Sequence, residues 1–230
     1  ENGYNATSSP DMYRVGGIRL GYQSNNNTFA FNKIEGSIGS GIIMGYSDGG
    51  VSNGSCNDNG FHENIIDQSS KYGINFYLSS FANQRNWIYN NIIKRSGIKN
   101  ANDRLANGTI WNKTKESVNS NIIGGSYLGG NYWDDYAGSD ANGDGLGDTP
   151  YTVSSGPVYD QLPLILPEKG DIDGLNGVTL ADAILALRVM AGMNPAGIRA
   201  NYPTSGIDVN GDGKIGMAEA IYILQKVAGI

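Results

Sequence analysis

Through the first 134 residues, the apolar positions come in short bursts separated by polar stretches rich in Asn and Gly. Phe29-Ala30-Phe31-Asn32-Lys33-Ile34 returns as Phe61-His62-Glu63-Asn64-Ile65-Ile66 and as Ile88-Tyr89-Asn90-Asn91-Ile92-Ile93. It returns again as Val118-Asn119-Ser120-Asn121-Ile122-Ile123. The shared form is apolar-x-x-Asn-x-Ile, and the bursts begin 32, 27 and 30 residues apart. Eight residues after the closing Ile, a second burst follows twice, around Gly41-Ile42-Ile43-Met44 and Gly73-Ile74-Asn75-Phe76; Gly17-Ile18-Arg19-Leu20 looks like the same strand of an earlier coil. Bursts this short read as strands, and one residue pattern returning at a fixed spacing reads as stacked coils. The fold expected is mainly β: a right-handed parallel β-helix over residues 1–165, with Ile34, Ile66, Ile93 and Ile123 in one inward row. The recurrent Asn is expected at a turn, stacked on the Asn of the next coil. An antiparallel sandwich with regular turns is the competing fold, but it gives no reason for so close a repeat.

After residue 165 the pattern changes. Leu180, Ile184, Leu187 and Ala191 recur at helical spacing before Gly192, and Met217, Ile221, Leu224 and Val227 do so before Gly229. Each helix follows an acidic loop. Asp208-Val-Asn-Gly-Asp-Gly-Lys-Ile-Gly-Met-Ala-Glu219 has the spacing of an EF-hand calcium loop. Asp208, Asn210 and Asp212 stand at positions 1, 3 and 5, and Gly213 makes the sharp turn at 6. Lys214 would offer its carbonyl at 7, Ile215 fills position 8, and Glu219 offers a bidentate carboxylate at 12. The upstream loop, Asp171–Asp182, offers Asp171, Asp173, Gly177, Thr179 and Asp182 at positions 1, 3, 7, 9 and 12. Leu175 at position 5 removes one ligand there, and Asn176 replaces the Gly at 6, so this loop should bind calcium more weakly than the second. All six acidic residues between Gly170 and Ile230 fall on ligand positions. Residues 166–230 therefore read as a small all-α calcium-binding module.

Two calcium-loop–helix units without entering helices resemble a dockerin. The resemblance implies a cohesin-like partner and a role in attaching a secreted protein to a scaffold or cell surface. The loop positions that often touch cohesin in that family are Leu180 and Ala181, then Met217 and Ala218. They are apolar, unlike the Ser/Thr pairs of cellulosomal enzymes. An intrachain clamp on the chain's own β-helix domain is the alternative use.

Upstream, Gly130-Asn131-Tyr132-Trp133, Asp135-Tyr136, Asp148-Thr149-Pro150-Tyr151 and Tyr159 through Pro163 resemble the C-terminal coils of two β-helix families. One is the periplasmic copper-binding family, the other the carbohydrate-binding/sugar-hydrolase family. Trp133, Tyr136 and Tyr151 are expected to plug the end of the coil core, with sugar binding as the competing use. Within this stretch Asp140, Asn142, Asp144 and Asp148 are spaced like the calcium loops of thrombospondin type 3 repeats, which implies a third calcium site.

Composition narrows the functions. A net charge of −6 argues against nucleic acid. No apolar run is long enough to span a membrane. With one Cys, Cys56, there is no intrachain disulfide framework. With a single His62 beside that Cys and scattered Met, no soft-ligand copper cluster can be read. Glu63, Asp67, Lys94 and Arg95 form no defensible catalytic motif. Exposed calcium loops suit an extracellular setting, and five Asn-x-Ser/Thr sequons, at Asn5, Asn26, Asn53, Asn107 and Asn112, permit glycosylation. The opening ENGYN suggests a mature or trimmed product. Residues 1–16 hold no amphipathic helix to cap a coil stack, which suggests a longer precursor or head-to-tail self-association. Two classes stay open: a non-catalytic, calcium-stabilised surface or matrix scaffold for adhesion, glycan binding or assembly, or the tail of a secreted polysaccharide lyase or glycoside hydrolase.

Overall fold

The computed structural model describes residues 16–21, 23–46, 56–76, 83–103, 108–154, 157–175, 177–199, 202 and 208–230. The first fifteen residues, Asn53, Asn107 and Asn176 lie outside them, as do the expectations placed there. The chain divides into two compact units. The first comprises residues 1–113, 130–137 and 150–163; the second comprises 114–129, 138–149 and 164–230.

The first unit is built of coils. β1 (Gly16–Gly21), β2 (Thr28–Ala30) and β3 (Lys33–Glu35) form one coil. The next holds β4 (Ser40–Tyr46), β5 (Gly60–His62) and β6 (Ile65–Asp67), and the third β7 (Tyr72–Phe76), β8 (Trp87–Tyr89) and β9 (Ile92–Lys94). β10 (Lys99–Asn102) follows. Strands pair between coils, always parallel, in the orders β1-β4-β7-β10, β2-β5-β8 and β3-β6-β9. Mainly β structure with three parallel sheets is what a parallel β-helix requires. The registers stack Ile42 on Ile74 on Ala101, Met44 on Phe76, and Phe61 on Ile88, all buried.

Ile34, Ile66 and Ile93 form the expected inward row, but the fourth member is Trp133, not Ile123. The stretch around Ile123 belongs to the second unit. There β11 (Glu116–Ser117) pairs antiparallel with β12 (Tyr127–Leu128). Asn121 accepts from the N–H groups of Ile123 and Gly125 and donates to the Tyr127 carbonyl. Its side chain thus closes a local turn instead of reaching another coil. The coil-completing strand is β13 (Tyr132–Trp133), which pairs with β9. β14 (Tyr151–Thr152) and β15 (Tyr159–Asp160) then pair antiparallel.

Left-handed residues make the coil corners. Asn26, Asp58 and Arg85 share one corner, Phe31, Glu63 and Asn90 the next, and Gly36, Gln68 and Arg95 the third, each with φ between 53° and 67°. Non-glycine residues adopt that conformation at a cost. What holds them is the Asn that follows at the first two corners. Asn32 donates from Nδ2 to Asn64 Oδ1 at 2.9 Å, Asn64 to Asn91 at 2.9 Å and Asn91 to Asn131 at 2.8 Å. A second ladder runs Asn27 to Asn59 to Asn86. Each Oδ1 also accepts from the backbone N–H of the Asn before it. Asn is suited to this because its amide both donates and accepts. The recurrent Gly17, Gly41 and Gly73 have a separate cause: a Cβ would come 2.5–2.6 Å from the Cγ2 of Ile34, Ile66 and Ile93.

The aromatic plug expected at residues 133–151 is present. Trp133 stacks on Tyr151 at 4.2 Å, and Tyr136 meets Tyr151 edge-on. The first Asn ladder ends on Asp160, fully buried, whose Oδ2 accepts from the Asn131 backbone N–H at 2.7 Å and from Trp133 Nε1 at 2.9 Å.

The second unit carries two short helices, α1 (Leu180–Met190) and α2 (Met217–Ala228). Gly192 and Gly229 follow them in the left-handed conformation, as their positions suggested. The helices meet through small residues: Ala183, Ala186 and Ala220 are buried with Ile172, Leu185 and Ile223. The apolar rows read from the periodicity are not this core. Leu180, Ile184 and Leu187 on α1, and Met217, Ile221, Leu224 and Val227 on α2, are each 40–59% exposed. Ala at the contact lets the two helices pack around Leu185 and Ile223, and the long side chains of the periodic rows turn outward.

Candidate metal centre

Both calcium-type loops end at the third residue of their helix, so the carboxylate at loop position 12 doubles as a helix cap. In the first loop Thr179 caps α1 and Asp182 completes a capping box. Asp182 is fully buried and fully used. Its Oδ1 accepts from the Ile172 and Asp173 N–H groups at 2.7 and 3.0 Å, and its Oδ2 from the Thr179 N–H and Oγ1 at 2.8 and 3.0 Å. Asp171 Oδ1 accepts from the Gly174 N–H and Asp173 Oδ1 from the Leu175 N–H. Asp171, Asp173 and Asp182 each place an oxygen within 4.8 Å of the other two, the one such group of three or more His, Cys, Asp or Glu donors among the described residues. This triad could hold a metal ion. Burial pushes the Asp171 carboxyl up to about 6, against the opposing pull of Arg199. Gly177 turns the loop at φ 66° and lines the adjacent cavity, so it and Thr179 stay beside the triad.

The second loop is built differently. Asp208 Oδ1 and Oδ2 accept from the Gly211 and Gly213 N–H groups at 2.8 and 2.6 Å. Burial opposes ionisation there, and these backbone donors outweigh it, holding the carboxyl below its usual range. Asn210 Oδ1 accepts from the Asp212 N–H, Asp212 Oδ1 from the Lys214 N–H, and Asn210 Nδ2 donates to Asp212 Oδ2. Lys214 is exposed and Ile215 packs into the helix core. Glu219 is fully buried. Its Oε2 accepts from the Gly216 N–H at 2.7 Å, but its Oε1 has no hydrogen-bond partner. A buried carboxylate oxygen without a donor is costly. The three carboxylates of this loop do not converge as closely as the upstream triad.

The third loop folds around its own acids. Asp140 Oδ1 and Oδ2 accept from the Asp144 and Gly145 N–H groups, Asn142 Oδ1 also from Asp144, and Asp148 Oδ2 from the Ala141 N–H. Burial raises the Asp140 carboxyl. Lys115 places Nζ 2.6 Å from Asp144 Oδ2. A cavity of about 460 Å³ lies within the second unit. Asp140, Glu168, Asp171, Val178 and Arg199 line it, so the first and third loops share a wall.

Sequence spacing located the loops but not their cations. Arg199 is buried and places Nη2 3.2 Å from Asp171 Oδ2, across 28 residues of chain. Lys226 pairs with Glu168. No local motif could have announced either. Of the two described sequons, Asn112 accepts from the Gln161 N–H through Oδ1, and Asn26 occupies a left-handed corner.

The sequence model of the family described as periplasmic copper-binding protein (NosD) matches residues 4–138. Over half of the chain lies in that match, and the chain belongs to this family. The match does not reach α1 or α2. No curated protein and no solved structure matches the chain. Copper is bound by imidazole, thiolate and thioether donors gathered at one point. Among the described residues, His62 Nδ1 lies 2.8 Å from Glu63 Oε2 and its ring stacks on Tyr89. Cys56 is fully buried in the coil core, where burial pushes its thiol up. Neither joins a group of three donors, and the donors that converge are hard carboxylates. The described residues do not fit copper. No helix among them is long and apolar enough to cross a membrane.

Proposed function

We propose that this member of the periplasmic copper-binding family is a non-catalytic β-helix scaffold working outside the cytoplasm. Its residues 166–230 attach it, as a calcium-ordered, dockerin-like module, to a cohesin-like protein. The scaffold then serves adhesion, glycan binding or assembly. The observation that carries this reading is the doubled apolar row. Leu180, Ile184 and Leu187 on α1 and Met217, Ile221 and Leu224 on α2 face outward. They begin at the same position of their loops, 10, and both recur at i, i+4, i+7. Contiguous exposed apolar residues on a small module mark an interaction surface. The cation that orders the module is calcium, because the ligand set is oxygen only and the loop spacing is that of a calcium loop. The second loop is the principal site, with Glu219 Oε1 the oxygen in need of a cation.

The test is sedimentation velocity of the full chain with purified cohesin modules, in calcium and in chelator. A complex that needs calcium, and that the double variant Leu180→Asp/Met217→Asp abolishes without loss of helical ellipticity, is the expected result. A chain that binds no cohesin in calcium, or a complex indifferent to the double variant, sinks the docking reading.

A further inference from the structure

Two of the three acidic loops already hold a cation that belongs to the chain. Lys115 sits on Asp144 in the third loop, and Arg199 on Asp171 in the first. Among the described residues, no Lys, Arg or His pairs with Asp208, Asp212 or Glu219 of the second. We infer that Arg199 is the resident cation of the first loop. Its guanidinium takes the place of a metal at Asp171 and keeps calcium from the Asp171/Asp173/Asp182 triad at concentrations that fill the second loop. The inference rests on the reading that the second loop takes calcium.

The geometry is specific. Arg199 is tied to the loop at two points, because its backbone N–H also donates to the Ile172 carbonyl at 3.0 Å. Its guanidinium lies against Gly174, where any Cβ would collide with it. The ion pair is nearly dry, with side chains 6% and 5% exposed. Arg199 Nε and Nη1 are buried without hydrogen-bond partners, so the group is not held there by a full set of bonds. What it supplies is charge beside three carboxylates. A calcium ion at the triad would stand against that charge at short range in a poorly screened place. The oxygens tell the same story. Asp182 accepts four donors, Asp171 spends Oδ1 on Gly174 and Oδ2 on Arg199, and Asp173 spends Oδ1 on Leu175. Two features thus point opposite ways: the converged oxygens suit a metal, and the paired charge does not. The paired charge decides, because a metal must first separate Asp171 from Arg199.

The experiment is isothermal titration of the full chain with calcium chloride after removal of bound metal by a chelator. The wild type is expected to bind one ion tightly, and Arg199→Met and Arg199→Gln to bind two, the first-loop affinity rising at least tenfold. Adding Asp173→Asn to Arg199→Met should abolish the gained ion and so locate it. Two ions of similar affinity in the wild type would overturn the inference, as would a folded Arg199 variant that binds no more ions than the wild type. If both variants lose helical ellipticity, calcium must restore it; failure to do so also overturns the inference, since a metal able to replace the guanidinium must replace its structural role. A wild type that binds no calcium while the Arg199 variants bind one would sink the second-loop reading and leave the inference standing.

Discussion

The Asn ladders of the first unit and the acidic loops of the second both bury polar side chains, and they satisfy them in opposite ways. An amide donates and accepts, so each Asn passes a hydrogen bond to the next coil. The series Asn32, Asn64, Asn91, Asn131 needs closing only at its end, where Asp160 accepts. A carboxylate only accepts, so a cluster of them leaves negative charge that hydrogen bonds do not cancel. Each loop then needs a cation: Arg199 in the first, Lys115 in the third, and by our reading calcium in the second. The lesson is that a buried amide finds its complement in a repeat of its own kind, whereas a buried carboxylate must recruit something unlike itself.

The comparison breaks most visibly in the middle of a ladder. Asn91→Ala would leave the Asn64 N–H without its partner and take one bond each from the Phe61 and Tyr89 carbonyls, while Asn64 Nδ2 and Asn131 Oδ1 keep their other partners. At about 1–3 kcal/mol for the group left buried and unpaired, with the other lost bonds adding to it, the β-helix should lose about 4 kcal/mol. Urea unfolding followed on the β signal checks this, and the loss should be the same with and without calcium.

The acidic loops should respond the other way. Calcium at about a hundred times its dissociation constant adds about 2.7 kcal/mol to whatever folds around it. Chelation should therefore unfold or loosen α1 and α2, read as ellipticity at 222 nm and as proteolysis after residue 165, while the coils resist. Glu219→Gln should abolish this calcium response. Asp182→Asn should lower helix stability with or without calcium, because either oxygen replaced by an amide NH2 would face two donors that already point at it. Equal calcium responses in the two variants would erase the distinction between the loops.

A smaller effect sharpens the ladder's end. Burial pushes the Asp160 carboxyl from 3.8 up to about 7, while the N–H groups of Asn131, Trp133 and Leu162 pull the other way. The folded state then holds a proton that the unfolded state has released, so stability is greatest below about pH 4 and falls as pH rises to about 7. Urea midpoints of the β signal between pH 4.5 and 7.5 should show this slope in the wild type and lose it in Asp160→Asn, whatever the variant's absolute stability.

The least should come from the surface. Arg85 and Asp58 pair across adjacent coils at 2.6 Å, both side chains exposed. Such pairs contribute little. Arg85→Gln should leave the thermal midpoint within error; a clear drop would mean that the coils depend on outer charge as well as on inner amides.

The sequence by itself determined the elements whose causes are local or periodic. The Ile returning after each Asn specified three coils, because a short strand can bury only that face. The glycines at 192 and 229 ended the helices, and the oxygen spacing of the first loop picked out Asp171, Asp173 and Asp182, the acidic triad that could hold a metal ion. It did not determine the partner of an element. The fourth apolar-x-x-Asn-x-Ile match, at residues 118–123, bends into a hairpin turn around Asn121, and Trp133 takes the place that Ile123 was expected to fill. Both helices are apolar on more than one side. Only packing decided that Ala183, Ala186 and Ala220 meet while Leu180 and Met217 face outward, since Ala at the contact lets the helices pack around Leu185 and Ile223. Arg199 reaches Asp171 across 28 residues and Lys115 reaches Asp144 across 29. Charge pairing over such distances depends on where the chain returns in space, and that is set by the tertiary structure alone.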